Sequence, residues 1–215
     1  MTITIKYQNY DTEYKFNQFN EISNYDKVVY IDCYNNQLSV LPKLPNSLQI
    51  LDCENNDLTE LPELPNSIQI LSCSYNKLSV LSKLPNSLQE INCNNNELSV
   101  LPELPNSLRS LICWYDQLSV LPELPNSLQV LNCRWNQLSV LPKLPKSLQI
   151  LNCGDNQLSV LPKLPDSLEE LYCFYNKLNV LPELPNSLKE LYCYDNQLIK
   201  NVKYKYLNKM IYMYF

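Results

Sequence analysis

From Val28 to Leu198 the apolar and polar positions recur on a 20-residue period. With Leu48 as position 1, apolar residues fall at positions 1, 4, 6, 11, 14 and 17, which in the second unit are Leu48, Leu51, Cys53, Leu58, Leu61 and Leu64. Positions 4 and 6 keep the two-residue alternation of a strand, so their side chains share one face and position 5 points to the other. A unit this short cannot bury its own apolar face. It must stack on its neighbours, which predicts a solenoid of about nine turns with a parallel β-sheet along the concave side.

The second half of the unit, LPELP in 61–65, carries two prolines. All 15 prolines of the chain sit at positions 15 and 18, and only Ser82 breaks the pattern. Proline fixes φ and donates no hydrogen bond, so this leg cannot be an α-helix and is expected as extended polyproline-like backbone. The Asn-Ser pair that follows, as in Asn46-Ser47, is turn chemistry leading into the next strand.

Position 9 is Asn36, Asn56, Asn76, Asn96, Asn136, Asn156, Asn176 and Asn196. An amide both donates and accepts, so this column is expected to satisfy backbone groups where each strand turns. Asp116 takes the place in the fifth unit and, if ionised, lacks the donor. A local irregularity or a bridging water is expected there.

The flanks do not repeat. Residues 1–27 are expected to be an N-terminal cap, 28–200 the solenoid, and 201–215 a C-terminal cap or a tail for a partner or a surface. Thr2 to Ile5 alternate as a short strand, and Tyr14, Phe16, Phe19 and Ile22 suggest one stripe of a short helix. Val202, Tyr204 and Tyr206 alternate, whereas Leu207, Met210, Ile211 and Tyr214 have helical spacing.

Composition narrows the function. The 215 residues include no histidine and one glycine, Gly154, and the net charge is −5. Without histidine the commonest general base and metal ligand is missing. No phosphate-cradling glycine loop occurs, and no catalytic, cofactor-binding or metal-binding residue is expected. Basic residues form no patch along the sequence, which disfavours nucleic acid. No apolar stretch is long enough to span a membrane, and MTITIKYQNYDTEYK lacks the apolar core of a signal peptide.

The nine cysteines, Cys33 to Cys193, are spaced by 20 without exception and all occupy position 6. That is a column of buried thiols facing inward. Side chains in parallel register bridge poorly, and an odd number of thiols fits a reducing, intracellular compartment.

The informative positions are those that differ between otherwise near-identical units. Positions 5, 7 and 8 diverge most and are expected on the exposed concave face. Aromatics there number 2 of 12 in the first four units and 8 of 15 in the last five. The candidate partner-binding set is Trp114, Tyr115, Arg134, Trp135, Tyr172, Phe174, Tyr175, Tyr192 and Tyr194. Aromatics with an arginine have the composition of a protein-binding hot spot. Gly154 is expected to leave a gap between the Trp135 and Phe174 rows that a partner side chain enters. The alternative is drift, with the rings stacking on one another.

A rival surface is position 13, valine in seven units from Val40 to Val180. Pointing outward, it is an apolar ladder suited to self-association. Packed sideways between turns it is structural, and that reading is preferred from the sequence. Position 16 is always Lys or Glu, as in Lys43, Glu63 and Glu103, and reads as a solvated edge.

The unit LxxLxCxxNxLxxLPxLPxS resembles the 20-residue bacterial-effector type of leucine-rich repeat, over about four fifths of the chain. That family usually has Val or Leu where cysteine stands here. The Asn-, Tyr-, Lys- and Ile-rich composition also resembles leucine-rich-repeat proteins of giant DNA viruses, which implies host cytoplasm if the source is viral. The resemblance implies a right-handed β-solenoid that binds proteins. Some effector relatives add a ubiquitin-ligase domain with a catalytic cysteine. Only 17 residues follow Leu198 and no cysteine lies outside the repeat, so no catalytic residue carries over. The expectation is a non-enzymatic interaction scaffold for a protein partner of unknown identity. The alternative is a self-assembling structural protein that uses the valine ladder.

Overall fold

A computed structural model describes residues 1–8, 12–198 and 212–214. The repeat forms one turn of coil per 20 residues, each contributing a short strand to a single parallel array. The first five strands of this array are β3 (Val28–Asp32), β4 (Ile50–Asp52), β5 (Ile70–Ser72), β6 (Glu90–Asn92) and β7 (Ser110–Ile112). They continue as β8 (Val130–Asn132), β9 (Ile150–Asn152), β10 (Glu170–Tyr172) and β11 (Glu190–Tyr192). Neighbours pair in register without a slip: Leu51 lies opposite Leu71, and Leu171 opposite Leu191. Identical spacing in sequence thus becomes a column in space.

At one end β1 (Ile3–Tyr7) pairs antiparallel with both β3 and β2 (Tyr14–Phe16). Tyr14 and Phe16 therefore lie in a strand, not on a helical stripe, and the segment's helical structure is confined to two single 3-10 turns, Phe19–Glu21 and Tyr25–Lys27. The free edge of β1 offers Tyr14–Phe16 a three-residue antiparallel ladder, which an isolated turn of helix does not. At the other end β12 (Tyr212–Tyr214) runs parallel to β11. Tyr214, one of the four residues with helical spacing, therefore lies in a strand, whereas Val202, Tyr204, Tyr206, Leu207, Met210 and Ile211 lie outside the described residues.

The core is one continuous stack. Apolar residues at positions 1, 4 and 11 are almost wholly buried from turn to turn, except Leu38 and Leu198 at the two ends, together with all nine cysteines. No disulfide joins the thiols. Several donate to the next strand, as Cys33 Sγ does to the Asp52 carbonyl at 3.4 Å and Cys133 Sγ to the Asn152 carbonyl at 3.6 Å. Burial pushes the Cys33 and Cys133 thiols up to about 12, so both stay protonated. The proline leg carries no helix in any described turn, and its leucines close the core from the convex side.

The asparagine column ties the turns together. Asn176 Nδ2 donates to the carbonyls of Cys153, Cys173 and Phe174 at 3.0, 3.2 and 3.1 Å, while its Oδ1 accepts the Leu158 amide at 2.9 Å. The first member, Asn36, has no earlier turn to serve and instead exchanges two 2.7 Å bonds with the Thr2 backbone. Serine does related work at the opposite corner, where Ser107 Oγ donates to the Leu88 carbonyl at 2.6 Å. Asp116 is the irregular member. Its Oδ1 still accepts the Asn96 and Leu98 amides, but at 3.2 Å each, and its Oδ2 is buried with no hydrogen-bond partner. Burial pushes this carboxyl up to about 7, against the opposing pull of the two amides.

The valines of position 13 point outward. They are 50–65% exposed from Val40 to Val180, which overturns the sideways packing preferred from the sequence. The physical reason is the three-residue period of the polyproline-like leg. Leucines at 14 and 17 face in, so 13 and 16 both face out.

Candidate partner-binding face

The side chains at positions 5, 7 and 8 lie where each strand ends and turns. Position 5 closes the strand. Where it is Asp or Asn, its oxygen accepts the amide two residues on, as Asn132 Oδ1 does from Arg134 at 3.3 Å and Asn152 Oδ1 from Gly154 at 3.3 Å. The chain then reverses through position 8, which is left-handed in every unit: φ is 55° at Asn35, 59° at Tyr115, 54° at Trp135 and 48° at Tyr175. Asn and Asp tolerate this conformation and occupy it at Asn35, Asn55, Asn95, Asp155 and Asp195. Tyr75, Tyr115, Trp135 and Tyr175 do so at a cost of roughly 1 kcal/mol each. The prevalence of Asn and Asp was the sequence signal for this turn, and the four aromatics concealed it.

The left-handed backbone throws those four rings outward, to between 44% and 51% exposed. Position 7 does not behave alike in every unit. Ser74, Asn94 and Phe174 are buried at 1%, 3% and 5%, whereas Trp114, Arg134 and Tyr194 are half-buried. The concave face is therefore ridged. Rings at position 8 form the crest, and position 7 forms the flank.

Most of the candidate residues form one continuous line. Tyr75 meets Trp114 edge-on at 6.2 Å, reaching across the fourth turn; the sequence reading had left Tyr75 out. Trp114 meets Tyr115 at 6.3 Å, and Tyr115 lies against Trp135 at 5.1 Å. Arg134 links the two halves of the line. Its guanidinium sits 5.4 Å from the Trp135 ring and 4.8 Å from the Phe174 ring, and Nε donates to Asp155 Oδ2 at 2.8 Å. Phe174 then stacks on Tyr194 at 4.9 Å with 6° between planes, and Tyr175 abuts both.

Tyr172 and Tyr192 stand apart from this line. They stack on each other at 5.0 Å on the strands themselves. The Tyr172 hydroxyl lies 3.0 Å from Glu170 and 2.8 Å from Glu190. Burial, and then these two carboxylates, hold the phenol protonated well above its usual range.

Two expectations change here. Gly154 leaves no gap, because the Phe174 ring occupies it, with Cε2 and Cζ only 2.8 Å from where a Cβ would stand. Phe174 is consequently clamped between Arg134 and Tyr194 rather than presented to a partner. An open feature lies one step away. It is a cleft of about 280 Å³ between Trp114, Tyr115 and Trp135, floored by Asn95, Asn132 and Asn152 and edged by Arg134. Its chemistry is apolar walls with amide donors and acceptors and one cation. Among the described residues no group of three or more His, Cys, Asp or Glu is placed to hold a metal ion. No helix among them is long and apolar enough to cross a membrane.

No family model and no curated protein matches the chain. Solved structures do. The chain is 35% identical to YopM from Yersinia enterocolitica WA-314, with a TM-score of 0.66, over 85% of this chain and 45% of that one. It is 38% identical to YopM, a leucine-rich effector protein from Yersinia pestis, with a TM-score of 0.71, over 80% of this chain and 56% of that one. A Shigella effector leucine-rich-repeat domain is 29% identical, with a TM-score of 0.64, over 86% of this chain and 81% of that one. The chain spans about half the length of the YopM chains it matches. One strand per turn, a helix-free return leg and these likenesses together make the chain a leucine-rich-repeat solenoid.

Proposed function

We propose that the chain is a non-catalytic scaffold that binds a protein partner on its concave ridge, through the cleft between Trp114, Tyr115 and Trp135. The observation that carries this reading is the placement of Tyr115 and Trp135. Both are held in a backbone conformation that bulky residues avoid, and both remain about half exposed beside an open cleft. Strain of this kind persists where the surroundings over-determine it and clusters at binding sites. Arg134 is pre-set by Asp155, so little side-chain freedom is lost when a partner arrives. The likeness to Yersinia and Shigella effector structures supports an interaction role. Nine buried thiols with no disulfide among them suit a reducing intracellular compartment.

The test is affinity capture from a cell lysate with wild type beside a Trp114→Ala/Trp135→Ala variant, with thermal unfolding recorded for both. A protein retained by wild type and lost from an equally stable variant supports the reading. The same set captured by both would mean that the rings stack only on one another.

A second reading is self-association along the position 13 edge. The outward orientation of the valines favours it, because it leaves an apolar row open to solvent.

A further inference from the structure

The proline leg carries two parallel outward rows, valine at position 13 and charge at position 16. The valine row is unbroken over turns three to eight, from Val80 to Val180, and is bounded in sequence by Glu60 and Lys200. At about 4.8 Å per turn it is roughly 24 Å long. Over the same six turns the charged row reads Lys83, Glu103, Glu123, Lys143, Lys163, Glu183, all exposed. Reversed in order and inverted in sign, that row reads the same. Within the chain three of the five adjacent pairs join opposite charges and two do not. Glu103 stands beside Glu123 and Lys143 beside Lys163 on adjacent turns, where like charges repel. Among the described residues none of the six has an ion-pair partner.

We propose that this face pairs with a second copy of the chain about a two-fold axis lying along the leg between turns five and six; the proposal rests on the self-association reading above and specifies its geometry. Such an axis reverses the order of turns while keeping each row opposite itself, the isologous arrangement of a symmetric dimer. Val120 then faces Val140, Val100 faces Val160, and Val80 faces Val180. In the adjacent row Glu123 faces Lys143, Glu103 faces Lys163, and Lys83 faces Glu183, so every contact joins opposite charges. Position 19 raises no conflict, since Asn126 meets Lys146 and Asn106 meets Asp166. A parallel pairing lacks this property, because it sets each row against a different one. Two rows are a small footprint, so the dimer is expected to be weak and concentration-dependent.

The experiment is sedimentation equilibrium of the full chain between roughly 10 µM and 1 mM, the range of a weak complex. Wild type is expected to rise toward twice its 25.1 kDa. Glu103→Lys/Glu123→Lys and Lys143→Glu/Lys163→Glu are each expected to weaken association more than tenfold. An equimolar mixture of the two, and a single chain carrying all four changes, are both expected to recover it. Every change is on an exposed side chain, and circular dichroism checks that each variant folds. If both charge variants associate like wild type while Val120→Ser/Val140→Ser does not, the two-fold pairing is overturned and the valine reading stands. If wild type stays at 25.1 kDa throughout, both fall.

Discussion

Phe174 occupies the space that a side chain at Gly154 would need, its ring 2.8 Å from an added Cβ. Gly154 is not a conformational glycine, since its φ is not positive. Its one function is to let the ring lie flat between Arg134 and Tyr194. Gly154→Ala is therefore expected to destabilise the fold by about 1–3 kcal/mol through overpacking. The same change in a Phe174→Ala background is expected to be near neutral. A double-mutant cycle in urea checks this, and equal effects in both backgrounds would refute the contact.

Asp116 sits where eight other turns have asparagine. Its carboxyl is held at about 7 in the folded chain, above the ordinary 3.8. The native state thus binds more protons than the unfolded state between these values, and stability falls as pH rises through about 4 to 7. Below that window the neutral acid supplies the missing donor. Asp116→Asn is expected to be more stable by roughly 2–4 kcal/mol at pH 8 and nearly unchanged at pH 4. Urea titrations of both proteins across pH measure this, and parallel curves would exclude it.

Asn176 makes four hydrogen bonds, two within its own turn and two to the turn before it, and is buried. Its replacement by Ala strands one amide and three carbonyls, for a loss of about 3 kcal/mol or more. Asn36 lies at the end of the column and is less buried, so Asn36→Ala is expected to lose less. Midpoints of thermal unfolding rank the two, and the reverse order would contradict the ladder.

The thiols give a chemical readout of the stack. Burial raises Cys53, Cys73, Cys93, Cys113, Cys153 and Cys173 as well as Cys33 and Cys133. Since the thiolate is the reactive form, iodoacetamide at pH 8 is expected to leave these eight unmodified in the native state and to label all of them in denaturant. Mass spectrometry counts the adducts. Rapid native labelling would show that the column opens.

The coil was legible in the sequence because every turn places the same residue in the same environment. Leu51, Cys53 and Asn56 recur at fixed offsets, and in-register pairing turns recurrence into contact. What escaped was contact between residues that differ from turn to turn. Phe174 looks like a surface aromatic until its ring is seen lying over Gly154, a full turn away. Tyr115 and Trp135 look like strand residues, because nothing about an aromatic announces left-handed backbone. The valines were misjudged for another reason. Their direction depends on the three-residue period of the proline leg, which a reading by strand alternation does not supply.

The asparagine column also imposes an order in time. The Leu58 amide is received by Asn76, 18 residues later, and the Leu138 amide by Asn156 in the same way. A turn is therefore sealed only by the turn that comes after it. A chain emerging from the ribosome N-terminus first keeps its newest turn open until the next asparagine arrives. Growth lags synthesis by one unit, and the end already tied to Thr2 is the one that closes first.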